Sequence, residues 1–198
     1  MPRLLAATLV ALLAACSTTD TLPPAPADWE QHRARLAQLH SWSASGKISL
    51  RSPDAAESAS LKWQQREGRT RIRLSGPLGT GATEIRSHGD YLEVRRGDEL
   101  RRVDMSSRAT ILRDTGWDLP LRALPYWLRG LPDPQLPLQA LAFDPDSGLP
   151  RALSQDGWQV RFEAYGEFDA LPLPTRLVVE NGATRVTLLL RRWQTGQD

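Results

Sequence analysis

Arg71-Ile72-Arg73-Leu74, then Ser75-Gly76-Pro77-Leu78-Gly79-Thr80-Gly81-Ala82, then Thr83-Glu84-Ile85-Arg86: this stretch decides the fold. Charged and apolar residues alternate on both flanks, the period of a strand with one buried face. The Gly- and Pro-rich middle is turn chemistry, so the chain reverses there and the flanks pair antiparallel. Leu78 is an oddity: loops run over surfaces, where a bulky apolar residue between two glycines and a proline has little to bury against. It either folds back over the sheet or meets something apolar outside it.

The same period of two extends outward. Ile48 and Leu50 alternate with polar partners, as do Ala59, Leu61 and Trp63, then Leu92 and Val94. Gly68, Gly89-Asp90 and Gly97-Asp98 punctuate these runs, which predicts a meander. Upstream, Asp28 and Gln31 have capping-box spacing. Trp29, Leu36 and Leu39 form one helical face with His32 beside them, and that helix is expected to end at Trp42. Downstream, Ser106 is placed to cap a short helix through Asp114, closed by Gly116. Pro120 opens a second helix whose stripe is Leu121, Leu124, Trp127, Leu128 and Leu131, with Gly130 as terminator. Pro125 lacks an amide hydrogen and predicts a kink or split in it. Strands resume near Leu141, with hairpin turns at Asp156-Gly157 and Asn181-Gly182. In the last strand Val186, Leu188 and Leu190 share one face, and strict alternation puts Leu189 and Trp193 on the other.

The fold class is therefore α+β: a single long antiparallel sheet with a few helices grouped on one side. A sheet of many strands must curl, split or close. The apolar layer beneath the helices is either a packed core or a cavity; the pattern leaves both open.

The N-terminus carries a different signal. Met1-Pro2-Arg3 is basic, Leu4 to Leu12 is apolar, and Leu13-Ala14-Ala15-Cys16 ends on the only cysteine. This order describes a secretory leader too short for a comfortable membrane span. The Leu-Ala-Ala-Cys step resembles a bacterial lipobox. That resemblance implies lipidation of Cys16, which becomes the first residue once 1–15 are removed; Ser17 after it is compatible with export to an outer membrane. The cysteine is then consumed, and no disulfide or Cys-based metal site remains. Residues 16–27 read as a lipidated end and Pro-rich tether, and 28–198 as one domain. Of the chain's net charge of +2, Arg3 leaves with the leader. The other arginines are scattered between acids along the chain, with no basic run that would track a nucleic acid.

Catalytic chemistry is not apparent. His32, His40 and His88 lack clustered carboxylates, and no serine sits in a nucleophile elbow. Gly76, Gly79 and Gly81 do not open a helix, so they are not a phosphate loop. No cofactor and no metal site are expected. The seven tryptophans are a better clue, because Trp and Leu together line apolar pockets as readily as they fill cores.

Several fragments resemble the LolB family of outer-membrane lipoprotein receptors. They are Trp29-Glu30-Gln31-His32, Leu61-Lys62-Trp63-Gln64-Gln65, Gly76-Pro77-Leu78-Gly79, Gly116-Trp117-Asp118-Leu119-Pro120, Tyr126 to Pro132, and Val186-Thr187-Leu188 to Trp193. Their order and spacing behind a lipobox carry the resemblance over most of the mature chain. It implies a curved, half-open barrel with a helical lid over a hydrophobic cavity. It implies a lipid-anchored monomer, not an enzyme, whose body faces the periplasm. Such a receptor takes lipoprotein cargo from the soluble carrier LolA, holds its acyl chains, and delivers it into outer-membrane phospholipid. The cavity candidates are Ile48, Leu50, Leu61, Trp63, Ile72, Leu74, Trp117, Leu121, Leu124, Trp127 and Leu128. The resemblance makes Gly76-Pro77-Leu78-Gly79 the membrane-delivery loop, with Leu78 held outward. The rival readings are a lipid-anchored structural or assembly protein and a lipid-binding sensor.

Overall fold

The computed structural model describes residues 26–53, 55–76, 81–105, 109, 110, 113 and 120–196. The leader, Cys16, most of the tether, Pro77, Leu78, Gly79, Trp117 and most of the expected helix from Ser106 lie outside the described residues.

Helix α1 (Trp29–Ala37) leads into β1 (Ser41–Arg51), β2 (Ala56–Arg66), β3 (Arg69–Ser75), β4 (Thr83–His88), β5 (Tyr91–Arg96) and β6 (Glu99–Asp104). A short helix, α2 (Leu124–Leu128), precedes β7 (Leu138–Phe143), β8 (Pro150–Gln155), β9 (Trp158–Phe168), β10 (Leu171–Asn181) and β11 (Thr184–Gln194). All eleven strands form one sheet in the order β6-β5-β4-β3-β2-β1-β11-β10-β9-β8-β7. Every pairing is antiparallel. The sheet is not closed: β6 and β7 are its edges. It consists of two meanders that fan out from a central seam, where the first strand meets the last.

That seam is irregular for a reason visible in its register. Ser45 faces Arg192, but the next residue, Gly46, faces Leu190, so Arg191 has no opposite number. This bulge resets the alternation of β11. Trp193 therefore lies on the core side with Leu190, and strict alternation, which put it on the far face, is corrected. Gly46 is required here: a Cβ built on it would fall 1.8 Å from the Leu189 carbonyl oxygen. Trp42 is not the end of α1 but the second residue of β1. Its ring stacks on Trp63 at 6.3 Å and meets Trp193 at 5.2 Å, so an aromatic cluster crosses the seam. Trp193 Nε1 donates to the Pro174 carbonyl at 3.0 Å.

The helices are shorter than the sequence predicts. Asp28 stands at the N-cap of α1, but its side chain makes no capping bond, so the capping box is not formed. Trp29, His32 and Leu36 are the buried face, and Leu39 packs from just beyond the helix. The end of α1 is held by Arg129, which donates to the carbonyls of Leu36 (2.9 Å) and Leu39 (3.2 Å). A cation there meets the unpaired carbonyls of the helix terminus. Pro125 splits the expected second helix: 121–123 form a turn, and α2 begins at Leu124 with the proline in its first turn, where a missing amide costs nothing. Gly130, at φ +79°, ends it as expected.

Gln155 ties α2 to the β7–β11 half. The residue is fully buried. Its Oε1 accepts from Trp127 Nε1 and from the Asp133 amide, both at 2.9 Å. Its Nε2 donates to the carbonyls of Asp133 (2.9 Å) and Leu136 (3.1 Å). Two donors and two acceptances leave this buried amide with no unpaired group. Trp127 and Leu128 have no exposed surface at all.

Candidate functional site

Side chains of β2, β3, β4 and β5 line up across the ladder. Trp63 faces Ile72, Ile72 faces Ile85, and Ile85 faces Val94. One step along, Leu61 faces Leu74 and Leu74 faces Thr83. These two rows, with Leu92, Val103 and Ile48, wall an apolar hollow of about 320 Å³. Leu121 and Leu124, from the segment entering α2, complete its lining. One end is charged: Glu57, Arg96, Glu99 and Arg101 also line it. Arg96 Nε donates to Thr83 Oγ1 at 3.3 Å, which satisfies the hydroxyl.

A second hollow of about 610 Å³ adjoins it and shares Trp63, Ile72, Ile85, Leu92 and Leu121. Its walls are more polar, drawn from the end of α1, from Trp42 and Gln65, and from the loop 129–135. Buried Trp42 Nε1 has no hydrogen-bond partner among the described residues. Asp133 is buried at this end, and burial pushes its carboxyl up from the usual range despite the Gln135 amide that it accepts from at 2.9 Å. Arg129 is also buried; burial lowers its pKa, and its guanidinium is compensated by carbonyl oxygens and by the Tyr126 ring at 5.4 Å. The pair of hollows thus runs from a polar end to an apolar one along the inner face of the β2–β6 half.

Of the residues expected to line an acyl cavity, Ile48, Leu61, Trp63, Ile72, Leu74, Leu121 and Leu124 border the smaller hollow. Leu50, Trp127 and Leu128 belong to the packed core and line neither hollow. Trp117, Pro77, Leu78 and Gly79 fall outside the described residues; Gly76 is half-buried at the end of β3. Ile85, Leu92, Val94 and Val103 were missed as lining residues, although the period of two that marked Ile72 and Leu74 marks the first three equally.

The histidines do not converge. His32 is buried on α1 against Trp29, and its Nδ1 has no partner. Burial first, and then the nearby Arg35 charge, lower its pKa and keep it neutral. His40 borders the larger hollow. His88 stacks on Tyr91 at 5.2 Å on the opposite face of the sheet. Among the described residues no group of three or more His, Cys, Asp or Glu is placed to hold a metal ion. No helix among them is long and apolar enough to cross a membrane.

With this geometry in hand, comparison with known proteins is informative. Residues 40–193 match the family model described as outer membrane lipoprotein LolB. The outer-membrane lipoprotein LolB of Stutzerimonas stutzeri is 38% identical over 202 aligned positions, covering 100% of this chain and 97% of its own. That of Chromohalobacter salexigens is 36% identical, covering 96% and 89%. Among solved structures, a DUF1329 family protein from Desulfovibrio piger superposes with a TM-score of 0.53 at 11% identity, over 85% of this chain and 92% of its own. That likeness speaks for the fold alone.

Proposed function

We propose a receptor function on one premise: the chain belongs to the LolB family of outer-membrane lipoproteins. It is an outer-membrane protein of lipoprotein sorting. Our finer reading is that it takes lipoproteins from the periplasmic carrier LolA, holds their acyl chains in the hollows on the inner face of the β2–β6 half, and releases them into the outer membrane. Cys16 carries the lipid anchor, residues 16–27 are the tether, and the body faces the periplasm.

The observation that carries this reading is the apolar hollow. Among the described residues twenty-nine buried hydrophobic side chains form one core cluster, and the Trp63–Ile72–Ile85–Val94 row also borders a hollow of about 320 Å³. An alkyl chain entering it gains roughly 0.8 kcal/mol for each methylene taken from water. The helices α1 and α2 with their flanking loops act as the cover. A bilayer buries every methylene, whereas this hollow is open and has a charged end, so the chain leaves for the bilayer downhill. Glycerol and peptide portions of the cargo suit the polar hollow beside Trp42 and Asp133. We assign release to the loop Gly76-Pro77-Leu78-Gly79, with Leu78 as the residue that meets the bilayer.

An environment-sensitive fatty-acyl probe tests the hollow. Leu74 and Val94 are only half-buried, so Val94→Asp leaves the fold standing. It is expected to weaken probe binding roughly tenfold, the cost of an unpaired polar group against an alkyl chain. Unchanged binding rejects the acyl cavity and favours an anchored structural protein. Transfer of a labelled lipoprotein from LolA then tests the handover. Leu78→Glu should accept the label as the parent does and deliver it more slowly to vesicles; equal delivery removes the role assigned to Leu78.

A further inference from the structure

The arginines that look scattered along the chain are not scattered in space. Strand alternation sends Arg66, Arg69, Arg71, Arg73 and Arg86 to the face of the sheet turned away from the core, and all five are exposed. Lys62, Arg95 and Arg102 join them on β2, β5 and β6. The carboxylates on this part of the face are Glu67, at the β2–β3 turn, Glu84, Glu93 and Asp104. Eight cations against four acids leave an excess of four on one face of a chain whose net charge is +2.

Two features show that this is more than a solvated surface. Arg66 stands directly opposite Arg69, and Arg71 directly opposite Arg86. Like charges at opposed positions lower the stability of a sheet. Glu84 bonds Arg71, Arg73 and Arg86, but among the described residues no carboxylate lies within ion-pair distance of Arg66 or Arg69. The second feature is apolar. Leu100, at 45% exposure the one large hydrophobic residue exposed among those described, stands opposite Arg95 on the edge of this face. Tyr91 lies on the same face at the other end of β5, opposite Asp104, with the Arg102 guanidinium 5.2 Å from its ring.

We propose that this outer face of β2–β6 is a docking surface for anionic phospholipid headgroups, on which the anchored body lies. The arginines match phosphate charge, and their long stems let the charged heads reach it. An exposed leucine and a tyrosine among cations suit the boundary between headgroups and acyl chains better than they suit an acidic protein surface. The proposal rests on the outer-membrane anchor at Cys16: ten residue steps lead from that cysteine to Pro26, so the chain can reach at most about 35 Å and the body stays near the bilayer.

The lipidated full-length protein with Ser60→Cys tests this, since Ser60 is exposed on the same face and Cys16 is consumed by lipid. A fluorophore at position 60 is quenched by a water-soluble quencher on phosphatidylcholine vesicles and on a roughly three-to-one mixture of phosphatidylcholine with phosphatidylglycerol. Gln135→Cys, on the far side, is the control. We expect quenching at position 60 to fall by about half on the anionic vesicles, to recover in high salt, and to stay constant at position 135. Arg69→Glu should restore quenching while raising thermal stability, because it turns the Arg66–Arg69 repulsion into attraction. Equal quenching at position 60 on both vesicles, with the protein floating on both, overturns the docking surface and leaves the anchor standing. Protein that floats with neither vesicle overturns the anchor and this proposal with it.

Discussion

Gly46 and Gln155 hold the molecule together at single points, and neither advertises itself in the sequence. Gly46 sits where two strands approach too closely for any side chain. Gly46→Ala is expected to cost roughly 2–3 kcal/mol by forcing the seam apart, read as a lower urea midpoint. Gln155 precedes an Asp-Gly turn, where a glutamine ordinarily faces water, and its role depends on contacts from 19 to 28 residues away. Gln155→Leu strands the Trp127 indole, the Asp133 amide and two carbonyls and should cost about 3 kcal/mol; Gln155→Glu loses both donors and should fare no better. Glu84 is the counter-example, legible once the register is known. Bonds from Arg71 above all, and from Arg86 and Arg73, hold its carboxyl at about 2 instead of 4.5. A depressed carboxyl adds stability that is complete above pH 4.5 and is lost as pH falls towards 2. Melting temperature against pH should therefore fall more steeply below 4.5 for the parent than for Glu84→Gln, with a small amplitude because the arginines are about half exposed.

Elements were readable where local chemistry decides them and misread where distant partners do. Asp156-Gly157 reads as a hairpin and is one, with both residues at positive φ (50° and 74°). Asp169-Ala170 makes the same turn at 50° and 57° and carries no glycine signal. Ala170→Gly should relieve that strain and raise the melting temperature by about 2 °C, the cost of a left-handed alanine less the entropy of glycine. Pro125 correctly marks a break, but the helix it shortens is placed by Gln155 and by the Leu36 and Leu39 carbonyls that receive Arg129, which belong to other parts of the chain. The bulge at Arg191 defeated strict alternation for Trp193, because nothing local in β11 announces it; the cause is the partner strand's Gly46. Within the site, the rows Trp63–Ile72–Ile85–Val94 follow from period and hairpin order alone, which is why most lining residues could be named. Leu50 obeys the same period, and Trp127 and Leu128 the helical stripe, yet all three pack solidly, since a pattern reports which face is apolar and not whether anything fills it.

At the scale of the whole molecule, one face of the sheet is a core with hollows and the other is an arginine array. The two jobs separate because strand alternation deals each type of residue to its own side. Read along the chain, the arginines resemble noise; a period of two in Arg69, Arg71 and Arg73 becomes a surface only after β2, β4, β5 and β6 are laid beside it.

The central seam has a consequence in time. β1 emerges long before β11 during synthesis and export. They are neighbours in the finished sheet, so the middle of the structure is completed at the end. Each meander can form from local pairings, but the seam closes a loop of more than 130 residues, a late and slow event. Until then both Trp42 and the inner edge of β10 are uncovered. A chain that stops before Thr184 has two half-sheets and no joint, and it is expected to be cleared by proteases rather than to accumulate as a partial receptor. Arrival of β11 is thus a checkpoint: the strand that joins the two meanders is the one that certifies both.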